Sequence, residues 1–125
     1  MGQVGARIAG AFAGFGFDTA GWSNSPKAIE RVASFAGAEA LMPFLARTDI
    51  AVCTLPLTPQ TRDLFDARAL SAMPRGSFLI NIARGAHVVE EDLLAALDSG
   101  QIAGATLDVV RTEPLPATHR FWDHP

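Results

Sequence analysis

Between Gln3 and Phe15 the bulky apolar residues Val4, Ile8, Phe12 and Phe15 recur at helical spacing, with Ala9 and Ala11 between them. This predicts a helix with one buried face. Gly10 and Gly14 each cost such a helix about 1 kcal/mol relative to Ala; they reflect either close packing onto a sheet or a tolerated weakness. Phe17–Trp22 predicts a short strand and Ser23–Pro26 a turn. Leu41, Phe44 and Leu45 predict a second helix with Pro43 near its first turn. Asp49–Leu55 (DIAVCTL) is an unbroken apolar run that stops at Pro56, the pattern of a strand buried on both faces of a parallel sheet.

A Pro/Thr-rich loop follows, then a short helix over Ala67–Met73 and another buried strand over Ser77–Ala83 (SFLINIA), ending at Arg84-Gly85. Glu90–Leu97 predicts a helix whose first turn holds Glu90, Glu91 and Asp92, favourable to the helix dipole. Gly100 stands where a C-terminal cap belongs. Ala105–Val110 predicts a fourth strand, after which the chain is Pro-rich and irregular. Strands alternating with helices predict an α/β fold, a doubly wound parallel sheet with right-handed crossovers. No internal repeat, low-complexity tract or second domain interrupts residues 1–125.

Composition narrows the classes. With 49% apolar and 18% charged residues the chain is not disordered in character. The net charge of −3, without a Lys/Arg cluster, gives nucleic acid no electrostatic foothold. No apolar run reaches the roughly 20 residues that span a bilayer, and the N-terminal residues lack a signal-peptide pattern. One cysteine, Cys53, excludes an internal disulfide framework and fits a reducing, cytoplasmic setting. Nothing in the sequence suggests a metal site.

Open parallel sheets bind ligands beyond the carboxyl ends of their strands. Polar or conformationally special residues fall at four predicted strand exits: Ser23-Asn24, Leu55-Pro56-Leu57-Thr58, Ala83-Arg84-Gly85, and Asp108 with Glu113. Ahead of them, Met1-Gly2-Gln3-Val4-Gly5 carries the last two glycines of G-x-G-x-x-G and runs directly into a helix. Gly2 would let the backbone approach a pyrophosphate, and Gly5 would let the helix pack on its strand. The N–H groups of that helix end would hold phosphate oxygens. Any glycine-rich helix start reads the same way in isolation. The next strand, however, ends about 20 residues on, where a ribose contact is expected. That place holds Trp22, Ser23 and Asn24, with Lys27 nearby and no carboxylate. Without an acid to repel a 2′-phosphate, NADP is favoured slightly over NAD; alternatively Ser23 and Asn24 only build a turn and Lys27 is solvated.

The run N-I-A-R-G-A-H-V-V-E-E-D-L-L-A-A-L (Asn81–Leu97), followed by L-D-V-V-R-T-E-P-L-P (Leu107–Pro116), closely resembles the D-2-hydroxyacid dehydrogenase family. The segments G-W-S-N-S-P-K, T-D-I-A-V-C-T-L-P-L-T-P-Q-T-R and F-W-D-H-P look most like its members that reduce glyoxylate or hydroxypyruvate. The resemblance spans essentially the whole chain and implies a Rossmann-like NAD(P)-binding domain, an oxidoreductase activity on small 2-keto acids, and a homodimeric parent protein. It implies that Arg84 clamps the substrate carboxylate, for which a guanidinium fork is suited; the alternative is a surface Arg paired with Glu90 or Glu91. Glu113 would orient a catalytic histidine and favour its protonated form, or else be a solvated loop carboxylate. Asp108 would contact the nicotinamide end, or cap the next turn. Ala83 would line the cofactor cleft, and Leu55, Pro56 and Thr61 would lie near the adenosine portion, or simply form a rigid loop.

In the family the acid/base histidine follows a further strand in a Pro-His context, and none of His87, His119 and His124 stands there. All three are expected at the surface. Asn24 replaces a basic residue common in the resembling subgroup, which weakens the NADP inference. Val110 stands where an aromatic is common, and Arg120 where Pro is usual. With half a phosphate loop at Met1, the chain is expected to be a domain fragment truncated at both ends. Lacking a central strand, it would be marginally stable or aggregation-prone and would not turn over substrate. The alternative function is a dinucleotide-sensing or protein-binding module without catalysis.

Overall fold

A computed structural model describes all residues, 1–125. Five strands and four helices alternate as α1 (Gln3–Gly14), β1 (Thr19–Ser23), β2 (Val32–Ala36), α2 (Leu41–Ala46), β3 (Ile50–Cys53), α3 (Ala67–Ala72), β4 (Ser77–Asn81), α4 (Glu90–Asp98) and β5 (Ile102–Leu107). Every strand pair is parallel. β1 and β2 form one ribbon, and β3-β4-β5 form a second. The α/β class and parallel pairing agree with the sequence pattern. No helix is long and apolar enough to cross a membrane.

The core lies where α2, α3 and α4 cover one face of the three-stranded ribbon. Leu45, Leu70 and Leu93 of the helices meet Ala51, Cys53, Leu79 and Ile102 of the strands, all buried. Each such large side chain contributes about 1.5–3 kcal/mol by leaving water. The apolar runs of β3 and β4 predict burial on both faces, but their burial alternates. The reason is the placement of these helices on one side, which leaves Ile50 and Phe78 of the other face half exposed. α3 starts at Asp66, whose Oδ1 accepts the Ala69 N–H at 2.8 Å, and the chain leaves α4 through Gly100 at φ +73°.

Three further departures have physical causes. In α1 the buried stripe is Gly5, Ala9 and Ala13, while Val4 and the C-cap Phe15 are mostly exposed and Phe12 packs edge-on against Phe17 near the surface. Small residues bring the helix axis close to its neighbours, so spacing of bulky residues identified the helix but the wrong face. β2 was not anticipated because it is a five-residue, half-exposed edge strand without alternation. It pairs in register with β1 from Thr19↔Val32 to Ser23↔Ala36. β5 begins at Ile102 and ends at Leu107, not 105–110, because its ladder with β4 starts at Ser77↔Ile102 and carries Gly104 within it. Gly104 is there for the Phe78 ring, which lies 3.2 Å from where a Cβ would stand.

Candidate functional site

The start of α1 lies between the two ribbons. A Cβ on Gly5 would stand 2.7 Å from Thr54 Oγ1, just past β3, and 2.7 Å from Met1 Cγ. A Cβ on Gly21 in β1 would collide with the end of the Met1 side chain. A Cβ at Gly5 would thus crowd the Thr54 hydroxyl as well as Met1, one at Gly21 would meet only the flexible end of Met1, and Gly2 has open space around it. Gly2 is the N-cap in extended conformation without a side-chain cap, and no acidic residue occupies the first turn. Gln3, Val4 and Gly5 therefore present N–H groups and the positive end of a three-turn helix toward a clear space. That environment suits an anionic pyrophosphate. Burial, and secondarily the charge of Lys27, holds the Met1 amino group below its usual pKa.

At the exit of β1, Trp22 is buried with its indole N–H on Gly37 O at 2.8 Å. Ser23 is buried and its hydroxyl donates to Ser25 O at 2.8 Å. Both therefore shape the turn. Asn24 and Lys27 are exposed and their side chains make no hydrogen bond or ion pair. Lys27 is held by its backbone, whose N–H donates to Ser34 Oγ at 3.1 Å. Both side chains are free to meet a ligand.

After β3 the chain folds into a tight loop. Thr61, 2% exposed, donates to Pro56 O at 2.7 Å and accepts the Thr58 N–H at 2.8 Å. Its hydroxyl is spent on the loop; Pro56 and Leu57 form the exposed rim, with Leu55 half-buried. After β4, Asn81 is fully buried and governs the next turn: Oδ1 accepts the Ala83 N–H at 3.1 Å and Nδ2 donates to Arg84 O at 2.9 Å. Ala83 is buried, and the Arg84 side chain emerges into solvent. Its Nη1 donates to Ala83 O at 2.7 Å and no carboxylate pairs with it. The alternative pairing with Glu90 or Glu91 is not formed. Glu90 binds His119 Nε2 at 3.0 Å and the Arg111 N–H at 2.9 Å instead.

The Arg84 turn and the segment after β5 touch through Gly85. A Cβ there would fall inside the Val110–Arg111 backbone. Arg111 secures the contact: its Nε donates to Val88 O at 2.6 Å and its Nη2 pairs with Asp63. Glu113, exposed, accepts the Val110 N–H at 3.2 Å through Oε1. Asp108 is exposed and tied by its backbone, donating to Asn81 O at 3.0 Å. Arg84, Asp108 and Glu113 therefore share one end of the three-stranded ribbon.

Of the three histidines expected at the surface, His87 is buried, while His119 and His124 are partly exposed. His87 is fully buried because its turn, Gly85–His87, packs under the Pro56 loop. His119 is shielded by Glu90 and the Phe121 ring, 4.5 Å away between centroids. His124, with its side chain 19% exposed, contacts Asp98 Oδ1 at 3.1 Å. Sequence reasoning also missed Gly21, Thr54 and Asn81. Asn81 directly precedes the Arg-Gly turn, and a polar residue at the end of a buried strand was the available signal.

Comparison with known proteins agrees with this geometry. The family model "D-isomer specific 2-hydroxyacid dehydrogenase, NAD binding domain" matches residues 1–125. The chain is 48% identical over 124 residues to glyoxylate/hydroxypyruvate reductase A of Serratia proteamaculans (strain 568), covering 99% of this chain and 40% of that protein. It thus spans about two-fifths of the length of the curated relatives it matches. Among solved structures, a D-isomer specific 2-hydroxyacid dehydrogenase from Xanthobacter autotrophicus Py2, in complex with NADPH and MES, superposes with TM-score 0.95 at 53% identity, covering 97% of this chain and 50% of that one. NADPH-dependent glyoxylate/hydroxypyruvate reductase from Sinorhizobium meliloti, in complex with NADP and sulfate, gives 0.92 at 44% identity, covering 98% and 40%. With parallel strands, a glycine-lined helix start and the Arg-Gly turn all in place, the chain belongs to the D-isomer specific 2-hydroxyacid dehydrogenase family, as its NAD-binding domain.

Proposed function

We propose that this chain forms the cofactor side of a reductase that converts a small 2-keto acid, of the glyoxylate or hydroxypyruvate class, to the 2-hydroxy acid, with NADP preferred over NAD. The observation that carries the reading is Arg84, an exposed guanidinium without a carboxylate partner on a turn fixed by buried Asn81. A carboxylate meeting that fork gains two parallel charge-assisted hydrogen bonds. Gly2, Gln3, Val4 and Gly5 would hold the pyrophosphate, and Asn24 with Lys27 the 2′-phosphate. Trp22 and Ser23 would support that corner from beneath. Leu55, Pro56 and Thr61 would wall the adenosine side, with Ala83 and Asp108 toward the nicotinamide. When bound, the reduced nicotinamide supplies the hydride.

Arg84 would orient the keto acid and draw electron density from its carbonyl. Glu113 would hold and orient the proton donor. His87, His119 and His124 are each engaged with other groups, so the proposal places that donor on a part of the protein beyond these residues. The engagement of all three also favours a second reading, a domain that binds the dinucleotide without catalysis. Arg84→Gln in the native protein separates the two. On the first reading kcat/KM for glyoxylate falls about a hundred- to a thousand-fold, as for loss of one preorganised donor. Cofactor affinity and melting temperature stay near the parent values. A native protein that binds NADPH yet reduces no 2-keto acid supports the second. An Arg84→Gln variant with unchanged kcat/KM refutes the role of Arg84.

A further inference from the structure

His87 is fully buried, lies three residues after Arg84, and belongs to none of the groups assigned above. Its Nδ1 stands 3.0 Å from Arg84 O, and its Nε2 stands 3.3 Å from Pro56 O, which is 31 positions away in the chain. Both neighbours are carbonyls, and a neutral imidazole has only one N–H to give. The Nδ1 contact is the shorter, but the count of donors on each carbonyl favours the proton on Nε2. Arg84 O already accepts from Asn81 Nδ2 at 2.9 Å and from the His87 backbone N–H at 3.2 Å, which fills its two lone pairs. Pro56 O accepts only Thr61 Oγ1, at 2.7 Å, and has a lone pair left.

We propose that His87 is a positioning residue whose Nε2–H, donated to Pro56 O, straps the Pro56–Thr61 loop to the Arg84 turn. Charged groups on the surrounding segments do not compete for the ring. Asp63 holds Arg111, Glu90 holds His119 and the Arg111 N–H, and Arg84 Nη1 turns to Ala83 O. Backbone hydrogen bonds already join the far end of the loop to this turn, from Asp63 N–H to Ala86 O and from Phe65 N–H to His87 O, both at 2.9 Å. The strap instead reaches the Pro56 end of the loop, through a side chain with no solvent contact. Its functional consequence rests on the proposed reading, in which the first loop walls the cofactor and the second aims Arg84 at the substrate. His87 would then fix the distance between cofactor and carboxylate clamp.

The test begins with the native protein labelled with ¹⁵N at the histidine ring. The expected result is a His87 imidazole protonated at Nε2, with that proton slow to exchange and close to Thr61. A ring unprotonated at Nε2 overturns the proposal. Three variants then follow in parallel. In His87→Gln the side-chain amide places an N–H near the former Nε2, in His87→Asn it reaches only the Nδ1 position, and in His87→Phe there is no donor. Amide exchange at Thr61 and Arg62 is expected to quicken about tenfold in the Asn and Phe variants, the effect of one lost hydrogen bond, and to stay within about twofold in the Gln variant. NADPH dissociation constants should follow the same order. Equal exchange in all three variants makes His87 a filler of space and refutes the strap. Should the Phe variant not fold, the Gln–Asn contrast and the ring spectrum still decide. Neither readout needs turnover, so an absence of keto-acid reduction would count against the proposed activity and leave the strap standing.

Discussion

Gly85→Ala is the substitution for which the structure gives the sharpest expectation. A methyl group at this position meets main chain, at the carbonyl of Val110 and the nitrogen of Arg111. Those atoms cannot rotate away as a side chain could. Nor is the segment free to drift, because Arg111 is held by Val88 O at 2.6 Å, by Glu90 Oε1 at 2.9 Å and by Asp63. Relief requires at least one of these bonds to open. Overpacking costs about 1–3 kcal/mol, and each hydrogen bond to a charged group that is lost adds about 1.5–3 kcal/mol. With one such bond lost the sum is about 2.5–6 kcal/mol, a large share of the 5–15 kcal/mol that ordinarily separates folded from unfolded chains. Equilibrium urea unfolding, followed by circular dichroism, should show a much lower midpoint with an unchanged slope. Gly5→Ala is the internal control: its new methyl would meet the flexible Met1 side chain and the Thr54 hydroxyl, so its loss should be smaller. If Gly85→Ala unfolds within about 0.5 kcal/mol of the parent, the size of an ordinary surface substitution, the contact between the Arg84 turn and the 110–113 segment is not as described.

Other expectations concern single groups. Lys27→Ala should weaken NADP binding by about tenfold, the effect of one charge-assisted contact, and leave NAD binding nearly unchanged; equal losses for both, by titration calorimetry, would remove Lys27 from the 2′-phosphate site. Burial pushes the Cys53 thiol above its ordinary pKa, outweighing a backbone hydrogen bond from Leu55. It should therefore stay protonated at pH 8 and react with a thiol reagent only as fast as the protein unfolds, so rapid labelling of the native protein would contradict its placement. The Asp98 carboxyl is held below its usual pKa by hydrogen bonds from Arg120 and His124. A lowered folded pKa means this contribution is complete above the unfolded value of about 4 and fades as pH falls through the lower folded value. NMR shifts of Phe121 and Trp122 should report loosening of the 120–124 turn only in that acid range; loosening that begins near neutrality would refute the assignment of this contribution to the Asp98 carboxyl.

Much of the architecture could be read from pattern because most elements here make strong local signals. The acidic first turn of α4, the apolar runs of β3 and β4, and the glycine at position 100 each dictate local geometry. What escaped was decided by neighbours. β2 is an edge strand whose only partner is β1, so little of its sequence had to be apolar. The buried face of α1 is made of Gly5, Ala9 and Ala13, and small residues carry no hydrophobic signal although they set how closely a helix can approach. Arg84, Asp108 and Glu113 were found from strand ends and resemblance. Of the buried polar groups that arrange them, Asn81 carried no separate expectation and His87 was expected at the surface, since their partners are carbonyls and amides, which sequence does not mark. Thr61 shows the same limit from the other side, a hydroxyl expected near a ligand but consumed in shaping its loop.

The stiffness of the site follows from how these loops are joined. Loops at the ends of a parallel sheet are ordinarily its least constrained parts. Here three of them are cross-linked by groups that belong to none of the proposed ligand contacts. Gly85 lets the Arg84 turn touch the Val110 backbone, Arg111 ties that backbone to Val88 and Asp63, and His87 reaches from the Arg84 turn to Pro56. A clamp that must meet a carboxylate within a few tenths of an ångström needs its backbone fixed before the substrate arrives, since ordering it afterwards would subtract from binding. Arg84 retains a free guanidinium because Glu90, the neighbouring acid, is already occupied by His119 and Arg111. Removing that occupation by Glu90→Gln should therefore act twice. It weakens the hold on residue 111, and it leaves His119 without its carboxylate, while the charge of Arg84 is untouched. The expected signature is a rise in KM for the keto acid with lowered thermal stability and an intact NADPH affinity at the α1 end. Loss of NADPH affinity in proportion to KM would mean that Glu90 acts on the whole cleft, and its assignment to the Arg84 end alone would fail.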